Sequence, residues 1–155
     1  MPPLSSAAFP QHVDSLLRAA FEGEDEAALV HALRADRDVA AELTITEDDK
    51  LVGYAALSWM KRPSGWVCLA PVAVEPSVQR RGIGGKLMKA VQNWLSERDL
   101  TAVVLGDPSY YGKRGFSSAR AQNLTSPYPV EHTLLAGPGK DAPKETLVYP
   151  PAFGA

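Results

Sequence analysis

One cysteine, Cys68, is all the 155-residue chain has, so no internal disulfide can staple it and a packed core must hold it together. It has no basic excess. Its 16 Lys and Arg face 18 Asp and Glu, a formal net charge of -2, which argues against a nucleic-acid binder. No apolar run reaches membrane-spanning length, and "MPPLSSAAFPQH" lacks the basic and apolar segments of a secretory leader. His12, His31 and His132 are scattered without ligand spacing, so no metal is expected. These absences predict a soluble cytoplasmic protein with neither nucleic acid nor membrane as partner. The length suits one domain, residues 1–155.

Periodicity supplies the elements. From Pro10, the residues Val13, Leu16, Leu17, Ala20 and Phe21 recur at three- and four-residue spacing and predict an amphipathic helix. After "EGEDE", Ala28, Leu29, Ala32 and Leu33 predict a second helix. At Val39 the period drops to two, with Val39, Ala41, Leu43 and Ile45 alternating with Glu42, Thr44 and Thr46, as in a half-buried strand. The turn "EDDK" and the run "LVGYAALSW" make a hairpin of it, and the nearly all-apolar "WVCLAPVAV" reads as a central strand. Pro71 has no N–H for the ladder, so it marks a bulge or a break in pairing. A helix with Leu87, Met88, Val91, Trp94 and Leu95 on one face follows, then a strand "TAVVLG" and a turn "DPSYYGKRGF". Strands are expected at "HTLLA" and "ETLVYP". The order predicts an α+β fold with one strand–helix–strand crossover at its centre.

The crossover opens with the glycine-rich, doubly basic "QRRGIGGK". Gly82, Gly84 and Gly85 permit positive φ and close approach of backbone. Placed before a helix, they leave unpaired N–H groups at the positive end of its dipole, an anion site for phosphate or pyrophosphate. Arg80, Arg81 and Lys86 add positive charge. The plain alternative is a helix entry whose glycines serve packing alone. A P-loop is excluded because Lys86 is followed by Leu87, and a dinucleotide fingerprint because Leu87 also takes the place of the third glycine.

What remains, Gln79 to Gly84, reads as [QR]-x-x-G-x-[GA] after a strand, and here the chain resembles the GCN5-related N-acetyltransferase (GNAT) superfamily. Three segments carry the resemblance in order: "LAPVAVEPSVQRRGIGGKLM", the helix and strand after it, and "YYGKRGF", similar to that family's Y-x-x-x-G-F. The wording "LGDPSYYGKRGF" with the late "YPPAF" looks like the YhbS-like branch of bacterial acetyltransferases. The detailed match covers roughly residues 66–117. The resemblance implies a mixed, mostly antiparallel sheet with splayed central strands, flanked by helices. It also implies acetyl-CoA as cofactor and a small-molecule or protein amine as acceptor, on a monomer or homodimer. The family's opening strand finds only a poor candidate in "PPLSSAAF".

Carried over residue by residue, the pantetheine arm would pair with Val72, Ala73 and Val74. The pyrophosphate would lie on the amides of residues 80–85, Arg80, Arg81, Gly82, Ile83, Gly84 and Gly85, with Gln79 heading the motif and Lys86 in support. The implied reaction is attack of a neutral amine on the thioester, with the amide of Ala73 or Val74 facing the developing oxyanion. Tyr111 matches the family's general acid, and Tyr110 reads as structural. Glu75 or Glu42 could act as base through a water, and Asp107 reads as a helix cap. Cys68, without a His or acid spaced to activate it, reads as a core residue. A non-catalytic acyl-CoA-binding or sensor domain, or a nucleotide-phosphate module, would keep the same turn.

Overall fold

The computed structural model describes residues 9–154. The expected opening strand at "PPLSSAAF" therefore falls, but for Phe9, outside the described residues. The elements run α1 (Phe9–Phe21), α2 (Asp25–Ala35), β1 (Val39–Glu47), β2 (Lys50–Trp59), β3 (Trp66–Val74), α3 (Ile83–Arg98), β4 (Thr101–Leu105), α4 (Pro108–Gly112) and β5 (Thr133–Ala136). The sheet takes the order β1-β2-β3-β4-β5, all pairs antiparallel except β3 with β4. The parallel pair is the one that α3 connects, as a crossover requires.

Both faces of the sheet are covered. Against one lies α3, whose Leu87, Met88, Val91 and Leu95 meet Ala55, Leu57, Val67, Leu69, Ala102 and Val104. Against the other lies α1, with Val13, Leu16 and Leu17 around Leu51, Tyr54, Ala56 and Ala73. Gly53 lets α3 seat closely, because a Cβ there would stand 2.9 Å from the Ile83 side chain. The "EDDK" turn is a tight hairpin whose two central residues, Asp48 and Asp49, both take positive φ (50° and 65°), the twist that a two-residue hairpin favours.

Three expectations need correction. The buried face of α2 is Ala27, Val30 and Leu33, which keeps Leu33 of the expected stripe, while Leu29 and Ala32 are half-buried and Ala28 is exposed. Alanine-rich helices offer several apolar stripes, and packing selects the one that carries Val30. Phe21, at the end of α1, is also exposed. The segment "ETLVYP" is not a strand. Thr146 bridges to Thr125 and Val148 to Arg62, so its backbone is tied to two separate loops and no continuous ladder forms.

Candidate functional site

The site begins where two strands part. β3 and β4 pair only at Trp66–Thr101, Val67–Ala102 and Cys68–Val103, so from Leu69 onward the β4-facing edge of β3 has no strand partner among the described residues. On its other edge β3 slips register against β2, passing from Leu69 opposite Leu57 to Val72 opposite Ala55. Pro71 sits in that slip, the interruption its missing N–H implied. Past the slip, the Glu75 amide donates to the Val52 carbonyl at 2.8 Å. Alternation along the strand then turns Ala73 toward β2 and turns the backbone of Val72 and Val74 to the open edge. Consistent with this, the Val74 carbonyl accepts the Gln79 side chain at 3.3 Å. Of the two amides expected to face the oxyanion, Val74 is the one turned to the open edge, with Val72 beside it.

A single turn, Pro76–Val78, joins the strand to the glycine segment. Arg80 (φ 69°) and Gly82 (φ 84°) are both left-handed, and α3 starts at Ile83 with Gly82 as an N-cap that has no side chain to offer. Among the described residues no hydrogen bond satisfies the amides of residues 80–85. A concave run of unpaired N–H groups at a helix start is an anion cradle. The three glycines differ in need. Gly82 needs its φ, a Cβ on Gly84 would stand 2.7 Å from the Tyr110 hydroxyl, and Gly85 faces open space.

Opposite the cradle stands α4. Asp107 caps it by accepting from the Ser109 amide at 2.9 Å and the Ser109 hydroxyl at 2.8 Å, as expected, and Pro108 fits its first turn. α4 delivers Tyr110 and Tyr111 side by side, rings edge to face at 4.9 Å, with Tyr111 also edge-on to Phe116 at 5.7 Å. Gly106 makes room for the Tyr111 ring. Burial, then the neighbouring Tyr110, pushes the Tyr111 phenol above its ordinary range, so it carries its proton at neutral pH.

Between cradle and tyrosines lies a cleft of about 480 Å³, lined by Val72, Val74, Gln79, Arg80, Gly82, Gly84, Gly85, Tyr110, Tyr111 and Arg114. The expected residues thus converge, with some exceptions. Ala73 and Ile83 are buried side chains, and only the Ile83 amide is available. Arg81 leans toward Glu47 at 4.0 Å, and neither it nor Lys86 lines the cleft. In their place comes Arg114. Its guanidinium stacks on the Tyr110 ring at 3.8 Å and donates to the Tyr110 carbonyl at 2.8 Å. Both residues were visible in "YYGKRGF", as a cation four positions after an aromatic, one helical turn apart.

The two carboxylates weighed as bases have other partners. Glu75 accepts from the Ser77 hydroxyl and from its amide at 2.9 Å, with Lys50 4.0 Å away, and it borders a separate hollow beside α1. The Ser77 hydroxyl foremost holds its carboxyl below the ordinary range. Glu42 is gripped by the Arg34 guanidinium at 2.6 Å and by the Tyr54 hydroxyl at 2.6 Å, which ties α2 to the sheet. Cys68 is buried at the crotch of the gap, and burial pushes its thiol up to about 12, as suits an inert core residue. Among the described residues no cluster of His, Cys, Asp or Glu could hold a metal. No helix of the described residues is long and apolar enough to cross a membrane.

Comparison with known proteins agrees with this geometry. The model of the "Acetyltransferase (GNAT) family" matches residues 10–116. The Escherichia coli protein named "Uncharacterized N-acetyltransferase YhbS" is 36% identical over 122 residues, spanning 76% of this chain and 73% of that one. The crystal structure of Escherichia coli YhbS in complex with CoA superposes with a TM-score of 0.82 at 28% identity, covering 94% of this chain and 87% of that one. A GNAT acetyltransferase from Brucella melitensis in complex with acetyl-CoA gives 0.79 at 27% identity, covering 98% and 96%.

Proposed function

This chain belongs to the GNAT acetyltransferase family, and from that premise we propose how its own residues carry acetyl transfer from acetyl-CoA to a primary amine. The observation that carries the reading is the run of unpaired amides at residues 80–85, set against an unpartnered strand edge and a protonated tyrosine in one cleft. Acetyl-CoA supplies the thioester whose acyl carbon bonds to the amine nitrogen and whose sulfur departs as a thiolate.

The protein's part is binding, orientation and proton delivery. The amides of residues 80–85 cradle the pyrophosphate, backed by Arg80 and Arg114. The open edge at Val72 and Val74 receives the pantetheine arm as a partial strand, and the Val74 amide faces the oxygen on which charge develops. Tyr111 gives its proton to the departing sulfur. Glu75, held as a carboxylate by its cap, is a poor match for the ammonium proton, because an effective base titrates near the working pH. The proton leaves through solvent at the open cleft. One buried thiol suits a cytoplasmic setting.

The deciding experiment measures thiol release from acetyl-CoA across a panel of amines, beside acetyl-CoA binding by calorimetry. Tyr111→Phe should lower kcat by about a hundredfold while leaving acetyl-CoA affinity unchanged. Binding without release for any amine would assign the chain instead to an acyl-CoA sensor. Tighter binding of ATP or NAD than of acetyl-CoA would overturn both.

A further inference from the structure

Two hollows meet end to end along β3. The lining of the cofactor cleft on that strand stops at Val72, that of a second pocket begins at Ala70, and only Pro71 stands between them. The second pocket encloses about 230 Å³. Ala70 and Leu105 each stand two residues past Cys68 and Val103, the last paired rung of β3 and β4. Alternation puts all four on the face away from α3, and the parted strands open a mouth between Ala70 and Leu105. Cys68 and Val103 form the floor, and Tyr128, Tyr149 and Phe153 form the wall. The wall is pre-ordered. Tyr128 and Tyr149 meet edge to face at 4.9 Å, Tyr149 and Phe153 at 5.7 Å, and the Tyr128 hydroxyl donates to the Phe153 carbonyl at 3.2 Å.

Direction and chemistry both bear on what fills this space. In the acetyl-transfer reading the cofactor's arm leaves the cradle of residues 80–85 and follows the open edge of β3 from Val74 toward Val72. Whatever acyl group it carries is then aimed past Pro71 at the mouth of the pocket. Among the described residues no charged side chain lines that pocket. An ammonium group would give up its water there and find no partner, at a cost. A hydrocarbon tail gains from the same surface, and a tail tethered through the thioester enters without a separate cost of association. Leu105, 43% exposed, is a large apolar side chain that such a tail would cover.

We propose that this pocket receives the acyl tail of the donor, and that the protein takes butyryl and hexanoyl groups from CoA as well as acetyl. An apolar cavity of about 150 Å³ is enough for benzene, so this one holds a tail of about six carbons and no long lipid chain. The step is that of acetyl transfer. The amine nitrogen bonds to the acyl carbon, the carbon–sulfur bond breaks, the thiolate takes the Tyr111 proton, and the surplus proton of the amine leaves to solvent. The inference rests on the acetyl-transfer reading, which sets the direction of the cofactor's arm.

Calorimetry of acetyl-, butyryl-, hexanoyl- and decanoyl-CoA tests this with no acceptor in hand. Affinity should rise about fourfold for each methylene buried, up to hexanoyl-CoA, and decanoyl-CoA should gain no more. Ala70→Leu narrows the mouth and should flatten the rise. Phe153→Ala lengthens the pocket and should move the best donor from hexanoyl toward decanoyl. The ratios among donors are read within each variant, so a variant that folds poorly is recognised because it loses all donors alike. A rise that runs on through decanoyl-CoA in the parent overturns the proposal, as does one that both variants leave unmoved. Equal affinity for acetyl- and hexanoyl-CoA refutes the pocket's role alone, and heat from 2-phenylethylamine on the cofactor-free protein would then give the pocket to an amine. Failure to bind any acyl-CoA refutes acetyl transfer and the pocket's role with it.

Discussion

The two sides of the β3–β4 gap are built by different means. On the α3 side the contacts come from backbone: unpaired amides at residues 80–85 and an open strand edge, all within one contiguous stretch, faced by a short helix. On the other side they come from side chains, brought together from Cys68, Val103, Tyr128, Tyr149 and Phe153. A backbone site binds what every member of a family shares, because substitutions leave it nearly unchanged. A pocket lined by side chains can be rewritten residue by residue.

The strongest way to break this contrast is to make the backbone side depend on a side chain. Gly84→Val places a Cβ 2.7 Å from the Tyr110 hydroxyl, which pushes the ring into the cleft or the turn away from it. Acetyl-CoA affinity should fall about a hundredfold or more, roughly 2.7 kcal/mol, by calorimetry. Adding Tyr110→Phe removes the atom that is struck, and part of the affinity should return. If the double variant binds no better than Gly84→Val, the glycine is needed for the cofactor's own approach.

A smaller effect separates the cations. Arg114→Ala should weaken acetyl-CoA binding about tenfold, roughly 1.4 kcal/mol, and most at low ionic strength. Arg81→Ala should change it by less than about threefold, since that side chain is exposed and turned toward Glu47. Equal losses, or the reverse order, would return the anion contact to the residue that the motif named.

That pair also shows how far the sequence was legible. Strand and helix periods placed β1, β2, β3, α3 and β4, and Pro71 located the interrupted pairing, because each is a local property of the chain. The run of free amides ahead of α3 was legible for the same reason. What escaped depends on direction. Nothing in "QRRG" says that Arg80 faces the cleft and Arg81 the solvent, since that follows from the left-handed turn at Arg80 and Gly82. Of the α2 stripe only Leu33 is fully buried as expected, because alanines leave the face undetermined until Val30 packs. The "ETLVYP" segment had strand composition but no neighbouring strand to pair with. Tyr149 and Phe153 stood in view as the late "YPPAF", but nothing there said that they meet Tyr128, because that contact forms only in the folded chain.

The smallest effect concerns acid, and it bears on which side of the gap handles protons. Glu75 and Asp107 both cap turns, and the hydroxyls of Ser77 and Ser109 foremost hold their carboxyls below the ordinary range. Unfolding releases those contacts, so the unfolded chain binds protons at a higher pH than the folded one. The caps' contribution is thus complete above the unfolded values, near about 4, and is lost as pH falls through the lower folded values. Urea midpoints measured from pH 7 to 3 should fall less steeply in Glu75→Gln and Asp107→Asn than in the parent, and the exposure of Asp107 makes its difference the slighter. The same Glu75→Gln variant decides its role in turnover. A cap alone leaves the pH profile of kcat/KM unmoved. A base acting through water would take the acid limb of that profile away, and proton removal would then belong to a side chain after all.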